Sequence, residues 1–330
     1  MLLSSDTPEG IAKSMGLGTI GFAQAYARFR PDILVVLGDR FEMHAAALAA
    51  LPSKIPVAHI HGGEITQGAI DDALRHSITK LGHLHFVSTQ EYARRVIQMG
   101  EEPWRVTVSG APSLDNLRVI RFLTREELAA GFGLYLEDTP FLLVTFHPVT
   151  LEYEQTEWQI TELLAALEAC SLPVVFTMPN ADTSGRTIAR MIEEFAATHS
   201  SAQAIDNLGT QGYFSMMALA AAMVGNSSSG IVEAASFELP VVNVGSRQRG
   251  RVRGANGIDV GYKRASILEG LKKVLDPVFR AKLRGIRNPY DSGGASEKIV
   301  EVLKQVQLDD RLVMKRFYDL QVVSSEGFER

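Results

Sequence analysis

Residues 58 to 76, AHIHGGEITQGAIDDALRH, combine three histidines, three acidic residues and one arginine. Side chains of these types can either bind a metal ion or transfer protons. His59 and His61 would point to the same face of a strand, so both could reach one ion. However, the chain has no cysteine pair and no HExxH helix, and the apolar neighbours PVAHI predict that His59 is buried. We therefore expect no metal here and favour acid/base chemistry.

The second half of this segment is predicted to begin a helix. Asp71 and Arg75 are four residues apart, as are Asp72 and His76, so each pair can meet on one helical face. Acidic residues near a helix N-terminus also stabilise the helix through its dipole. That explanation is sufficient for Asp72 and His76, whereas Asp71 and Arg75 are candidates for chemistry.

Other polar candidates also follow directly after apolar runs. They are Asp39 and Arg40, His147, Asn180 and the segment 226–230. In open α/β sheets, ligands bind beyond the carboxyl ends of the strands, so these groups are expected around one cleft. Asp39 follows a glycine and suits a base or a sugar contact, but capping of the next helix explains it equally well.

The segment VGNSSSGIVEAASF, residues 224–237, combines a strand end, a serine turn and a helix start. Free N–H groups and the helix dipole make such a turn a good phosphate site, and Glu233 could bind sugar hydroxyls or cap the helix. A serine-rich N-cap is the alternative, since no lysine follows as in a P-loop. The next loop adds Arg247, Arg249 and Arg251, whose guanidinium groups suit phosphate. A solvated basic loop explains Arg249 and Arg251 equally well.

Apolar runs typical of buried strands alternate with helical patterns. This order predicts parallel sheets covered on both faces. The predicted strands lie within 32–39, 56–61, 83–88, 105–110, 141–148, 173–180, 222–230 and 239–246, and the clearest helices within 41–51, 69–82, 90–100 and 295–317. We predict a first Rossmann-like domain over 1–118, a linker over 119–140, a second Rossmann-like domain over 141–304, and a helical tail over 305–330 that packs back on the first domain.

Composition excludes several classes of protein. A chain of 330 residues suits two domains, and a formal charge of −5 gives no support to a nucleic-acid partner. Cys170 is the single cysteine, which excludes an internal disulfide framework and fits a reducing cytoplasm. No apolar run approaches the roughly 20 residues of a membrane-spanning helix, and the N-terminus lacks the features of a signal peptide. We therefore expect a cytoplasmic protein with no membrane partner.

Together the motifs resemble those of the UDP-N-acetylglucosamine 2-epimerases. The likeness is greatest to the hydrolysing branch, which supplies N-acetylmannosamine or related sugars for sialic- or legionaminic-acid synthesis. The matching segments run in order from the first residues to about residue 304, and are LSSDTPEGIAKSMGLG, LGDRFE, HIHGGE, GAIDDALRHSITKLGHLHF, GAPSLD, HPVT, GNSSSGIVEAASF, PVVNVGSRQRGR and NPYDSGGASEKIV.

The resemblance implies an α/β protein of GT-B architecture. In that architecture two Rossmann-like domains, each with a parallel sheet, hold UDP in the cleft between them. The family reaction eliminates UDP across carbons 1 and 2 of the sugar, and water then adds with inverted configuration at carbon 2. Proton removal and a good leaving group require no metal or other cofactor. The implied partners are a small-molecule UDP-sugar and a second copy in a homodimer.

The resemblance also assigns site residues. Asp39 and Asp71 match the catalytic acids, with Arg40 as a sugar contact and Arg75 as the partner of Asp71, and His147 matches a group near the sugar and diphosphate that helps UDP to depart. The remaining nucleotide contacts are assigned to Asn180, Leu208, Ser227, Ser228, Glu233 and Arg247.

Two departures from the family pattern matter. Many members carry glutamate at the position of His61, so either His61 or Glu64 is expected to be the second acid/base group. Relatives also begin with a strand and a Gly-Thr-Arg loop, so we expect the first domain to lack its first βαβ unit of ~30 residues. The alternatives are a GT-B glycosyltransferase and an inactive UDP-sugar-binding remnant.

Overall fold

The computed structural model describes residues 7–136, 138–179 and 184–320, and it contains two parallel sheets. The first sheet has the strand order β1-β2-β3-β4, with β1 (Leu34–Leu37), β2 (Val57–Ile60), β3 (Leu84–Val87) and β4 (Val106–Val108). The second has the order β10-β9-β8-β5-β6-β7, with β5 (Leu142–Thr145), β6 (Val174–Thr177), β7 (Ala202–Ile205), β8 (Ala222–Gly225), β9 (Val241–Val244) and β10 (Gly257–Val260). All eight strand pairings are parallel.

Helices connect the strands within each sheet. Those before and within the first sheet are α1 (Pro8–Phe29), α2 (Phe41–Ala50), α3 (Asp71–Leu81) and α4 (Gln90–Gln98), followed by α5 (Arg125–Phe132). The second sheet is accompanied by α6 (Thr156–Cys170), α7 (Gly185–Thr198), α8 (Gly209–Leu219), α9 (Ser229–Val232), α10 (Arg264–Val274) and α11 (Pro277–Ala281). The chain continues through α12 (Ala295–Gln305) and α13 (Asp310–Val313).

The predicted α/β architecture is confirmed, and each predicted strand run contains a strand. Central strands such as β5, β6, β8 and β9 are buried along their whole length, as parallel strands between two helical layers must be. Two strands were not predicted, β7 and β10, and both are edge strands of the second sheet. Edge strands need less apolar sequence, which explains why AQAI and GIDV gave a weak signal.

The C-terminal segment packs against the first sheet. Ile299 of α12 and Leu312 of α13 join Ala58, Leu84 and Phe86 in one apolar cluster. The predicted helix over 295–317 is wrong beyond Gln305, because only Asp310–Val313 is helical after it. The segment 119–140, which we predicted to be a linker, contains the helix α5 and contributes side chains to the core of the second sheet. The proposed domain boundaries stay a prediction.

A buried carboxylate fastens the end of the described chain to the first sheet. Glu101 is fully buried and contacts Lys80 at 2.5 Å, Lys315 at 2.7 Å and His85 at 3.0 Å. Burial alone would raise the pKa of the Glu101 carboxyl, but the hydrogen bonds from His85, Lys315 and Lys80 lower it to about 2.

None of the described helices has the length and apolar composition that crossing a membrane requires.

Candidate active site

The carboxyl end of β1 presents Asp39, whose carboxylate forms an ion pair with Arg75 of α3. Arg75 is 1% exposed, and its Nη1 also donates to Thr66 Oγ1 at 2.9 Å. α3 begins at Asp71, a buried acid at the positive end of the helix dipole. The N-cap residue of α2 is Arg40, and no side chain forms a cap hydrogen bond there. The described partner of the Asp39 carboxylate is therefore Arg75, and not the N-terminus of α2.

The turn after β2 positions His61 and Glu64. His61 has a left-handed φ of 66°, which is uncommon for a residue with a side chain, and its N–H donates to the carbonyl oxygen of Phe86 at 2.9 Å. Gly63 follows with φ 76°, where an added Cβ would lie 2.6 Å from the Tyr92 carbonyl oxygen. The glycine is therefore needed for both conformation and space. This turn places His61 Nδ1 2.6 Å from Glu64 Oε1.

Glu64 is a buried carboxylate held by three side chains. Besides His61, Ser88 Oγ donates to Oε1 at 2.9 Å, and Arg251 Nη1 lies 3.2 Å from Oε2. Burial alone would raise the pKa of the Glu64 carboxyl, but the charges of Arg251 and His61 and the hydrogen bonds from His61 and Ser88 lower it to about 2. Glu64 is therefore ionised at neutral pH.

Arg251 reaches Glu64 from the other sheet. It lies in the loop after β9, and its side chain is 7% exposed. Its Nε donates to the carbonyl oxygen of Ile65 at 3.2 Å, and its Nη2 donates to Thr66 Oγ1 at 3.4 Å. Arg251 is therefore not part of a solvated loop, whereas Arg249 is exposed.

The second sheet contributes His147 at the carboxyl end of β5. Its N–H donates to Asn226 Oδ1 at 2.7 Å, and Asn226 Nδ2 donates back to the His147 carbonyl oxygen at 2.8 Å. Arg247 Nη1 lies 3.4 Å from the Asn226 carbonyl oxygen. Burial, followed by the positive charges of Arg247 and Arg40, lowers the pKa of His147 well below its ordinary value. Since Arg40 follows β1 at the start of α2, a charge from the side of the first sheet acts on a histidine of the second.

The serine turn after β8 is followed by less helix than the sequence predicts. α9 has four residues, and the segment Ala234–Phe237 is a 3₁₀ turn. Ser227 Oγ accepts from the Ser229 N–H at 3.3 Å, and Ser228 is the N-cap residue without a side-chain cap bond. Binding of an anion here would therefore depend on hydroxyls, turn N–H groups and Arg247 more than on a long helix dipole.

A cavity of about 510 Å³ adjoins this turn and is lined from both sheets. Leu208, the N-cap residue of α8, lines it together with Tyr213 and Glu233. From the side of the first sheet, Ser113 Oγ donates to Glu233 Oε1 at 2.6 Å. Burial raises the pKa of the Glu233 carboxyl, so it retains its proton to higher pH than an exposed glutamate.

Several expectations about the opening segment can be compared directly with the structure. His59 is fully buried, as predicted, and its Nε2 lies 2.8 Å from the Gly38 carbonyl oxygen. Asp72 and His76 form the predicted helical pair, at 3.6 Å. Within residues 7–136, 138–179 and 184–320, no three metal-ligating side chains are grouped to hold an ion. Asn180 lies outside the described residues.

Sequence analysis missed several residues of this region. Ser88 follows β3 directly, and Ser113 follows β4 within GAPSLD, so the rule of polar residues after strands would have found both. Thr66 and Tyr213 carry no comparable signal. They are recognised only because the fold places Thr66 between two arginines and Tyr213 beside Thr145, at 3.4 Å.

Comparisons with known proteins agree with the motifs. The sequence matches the UDP-N-acetylglucosamine 2-epimerase family over residues 1–304. It is 39% identical to the GDP/UDP-N,N'-diacetylbacillosamine 2-epimerase (hydrolyzing) of Campylobacter jejuni, over 97% of this chain and 83% of that protein. Identity to the UDP-N,N'-diacetylbacillosamine 2-epimerase (hydrolyzing) of Legionella pneumophila is 37%, over 95% of this chain and 81% of that protein. Among solved structures, UDP-GlcNAc 2-epimerase from Neisseria meningitidis bound to UDP-GlcNAc superposes with a TM-score of 0.78 at 20% identity, over 92% of this chain and 84% of that one. The fold is thus the GT-B fold of these epimerases.

Proposed function

Because the chain belongs to the UDP-N-acetylglucosamine 2-epimerase family, we propose that it is a hydrolysing 2-epimerase of a UDP-N-acetyl sugar. One observation carries the proposal. The ion pair of Glu64 with Arg251 joins the carboxyl edges of the two sheets, and so brings the residues that we assign to proton transfer close to those that we assign to anion binding.

The reaction needs a base at carbon 2 and a site for the departing UDP. A base removes the carbon-2 proton, the C–H electrons form the double bond between carbons 1 and 2, and the C1–O pair leaves with UDP. Water then supplies hydroxyl to carbon 1, and a proton adds to the opposite face of carbon 2. We assign these proton transfers to Asp39, Asp71 and the pair of His61 and Glu64.

The second sheet suits the leaving group. Arg247 supplies a guanidinium for the diphosphate, and Ser227 and Ser228 supply hydroxyl donors. His147 is held neutral by burial and by Arg247 and Arg40, so its imidazole can donate a hydrogen bond without adding a further charge. Arg40 brings positive charge from the first sheet toward the same point.

The nucleoside is assigned to the cavity beside this turn. Leu208 offers an apolar contact there, and Glu233 offers a carboxyl for ribose hydroxyls. Asn180 is proposed on the same side from the motif alone.

The relatives' names favour a sugar with two acetamido groups. Two of them, at 39% and 37% identity, are named as diacetylbacillosamine 2-epimerases. We therefore propose UDP-2,4-diacetamido-2,4,6-trideoxyglucose as the preferred substrate, with UDP-N-acetylglucosamine as the alternative.

The test is incubation of the protein with each UDP-sugar in D₂O. We expect free UDP and a free sugar of inverted configuration at carbon 2, carrying one deuterium there, because the original proton is lost in the elimination. Release of UDP only when an acceptor sugar is added would indicate a glycosyltransferase. Binding of UDP by calorimetry without turnover of either sugar would indicate an inactive binding protein.

We also propose a homodimer and a cytoplasmic location. Light scattering on the eluted peak of a size-exclusion column tests the first, since a dimer has twice the mass of the 36.1 kDa chain. Cell fractionation tests the second.

A further inference from the structure

His61 and Glu64 differ sharply in what they can do. Both oxygens of Glu64 are engaged, by His61 and Ser88 on Oε1 and by Arg251 on Oε2, and the side chain is 2% exposed. A carboxylate so placed has no face left for a substrate. His61 is 19% exposed and commits its Nδ1 to Glu64, which leaves Nε2 as the ring nitrogen able to exchange a proton.

The backbone holds this arrangement under strain. His61 adopts a left-handed conformation directly after β2, and Gly63 can carry no side chain because of the Tyr92 carbonyl group. Such outliers persist only where their surroundings fix them, and they cluster at sites where side-chain direction matters. The turn therefore fixes the direction of the imidazole.

Arg251 completes the pair from the opposite sheet. All three of its guanidinium nitrogens contact the loop 64–66. The same loop of the second sheet carries Gln248, whose Nε2 donates to the Asn226 carbonyl oxygen at 2.8 Å. The segment 247–251 therefore touches the serine turn at one end and the carboxylate partner of His61 at the other.

We infer that His61 is the second acid/base residue, that Glu64 orients it, and that Arg251 is a positioning residue that acts on His61 through Glu64. The inference rests on the proposed function and settles which of two candidates transfers the proton. It also connects the diphosphate side to the proton-transfer side, because Arg251 can hold Glu64 only while the two sheets are in contact.

Charged groups surround His61 and act on its ring. Glu64 is in direct contact with it, Glu233 interacts with its charge, and Arg251 acts on it through Glu64. His59 is buried on the same strand, and burial lowers its pKa to about 3, so it is neutral. Because Glu64 accepts the hydrogen bond of His61 Nδ1, its carboxylate determines which ring nitrogen carries the proton.

The experiment uses Glu64→Gln, Arg251→Met and the double variant, with Arg249→Met as the matched control. Arg249 is exposed and lies two residues away in the same loop. We expect each single variant to lower kcat by ~10²-fold with little change in KM, because orientation is lost while binding is kept. The double variant should be no slower than Glu64→Gln, since both changes act on one group. Arg251→Met leaves the buried Glu64 carboxylate without its cation and can unfold the protein. The double variant removes both charges together, so we expect it to fold even if Arg251→Met does not.

A second measurement does not depend on turnover. Long-range ¹H–¹⁵N spectra of histidine rings are recorded on the UDP-bound protein, with the signals of His61 identified by their loss in His61→Gln. We expect the His61 ring to carry its proton on Nδ1 in the wild type and in Arg249→Met, and a larger share of the Nε2-protonated tautomer in Glu64→Gln and Arg251→Met. The same tautomer ratio in all these proteins, or a loss of kcat in the double variant equal to the product of the two single losses, would overturn the inference. A wild type that turns over neither sugar would remove the proposed function and with it the acid/base role of His61, whereas the spectra would still show whether Glu64 and Arg251 orient its ring.

Discussion

The hydroxyl groups of Tyr92 and Tyr290 form a closed ring of hydrogen bonds with Val252. The Val252 N–H donates to the Tyr92 oxygen at 2.9 Å, and the Tyr290 hydroxyl donates to the Val252 carbonyl oxygen at 3.0 Å. The hydroxyl proton of Tyr92 therefore goes to Tyr290, at 2.7 Å. Both tyrosines are fully buried, and Val252 follows the positioning arginine directly.

Replacing Tyr290 by Phe removes the partner of two groups. These are the hydroxyl donor of the fully buried Tyr92 and the carbonyl oxygen of the half-buried Val252. An unpaired buried group costs about 1–3 kcal/mol, and a half-buried one costs about 1 kcal/mol because water reaches it in part. We therefore expect a loss of about 2–4 kcal/mol. With an unfolding entropy of about 2.1 cal/mol/K per residue, a chain of 330 residues has about 0.7 kcal/mol/K in total. The expected fall in Tm is about 3–6 °C.

The assay is differential scanning calorimetry of Tyr290→Phe, Tyr92→Phe and their double variant. The matched control is Tyr135→Phe, at a tyrosine that is 75% exposed. The double variant should lose less than the sum of the two single changes, because each single change already breaks the same ring. A Tm for Tyr290→Phe within 1 °C of the control would refute the reasoning.

Three further predictions follow from buried groups and tight turns. Asp71→Asn should lower turnover by at least ~10²-fold while UDP still binds by calorimetry, and near-normal activity would remove Asp71 from the mechanism. Since the folded pKa of Glu101 is about 2, its contribution to stability is complete above the ordinary value of 4.5 and is lost as the pH falls through about 2. The urea midpoints of Glu101→Gln and wild type should therefore differ most near pH 7 and approach each other between pH 4.5 and 2, and a constant gap would contradict this. Gly63→Ala should lower the urea midpoint strongly, because the added Cβ would lie 2.6 Å from the Tyr92 carbonyl oxygen. The control Gly16→Ala in α1 has open space around its Cβ and should be neutral or stabilising. Equal midpoints for the two variants would show that the turn relaxes.

Contacts that are local in sequence were predictable. The pair of Asp72 and His76 follows from helical spacing alone, and the burial of His59 follows from the apolar run around it. The strand ends were equally accessible, because apolar runs fix the strands and the parallel topology collects their carboxyl ends on one edge. That is why Asp39, His61 and His147 could be grouped in advance.

Contacts between distant segments were not predictable. Helical spacing places Asp71 and Arg75 on one face, but it could not predict the ion pair that Arg75 also forms with Asp39, which follows a different strand. Arg251 and Glu64 are 187 positions apart, and their contact exists only because two sheets meet. The short α9 was also hidden, since IVEAASF has helical composition but turns into a 3₁₀ segment before β9.

The buried ion pair of Glu64 with Arg251 is better explained by specificity than by stability. Two charges removed from water repay their desolvation only in part, so the pair is weak evidence for a stabilising role. However, the pair disfavours any other arrangement of the two sheets, because such an arrangement would leave the Glu64 carboxylate buried without its cation. Arg251 also shares Thr66 Oγ1 with Arg75, the partner of Asp39. A shift of the loop 64–66 would therefore disturb two of the proposed proton-transfer groups together, which makes contact between the sheets a condition for the chemistry on both sides of the turn.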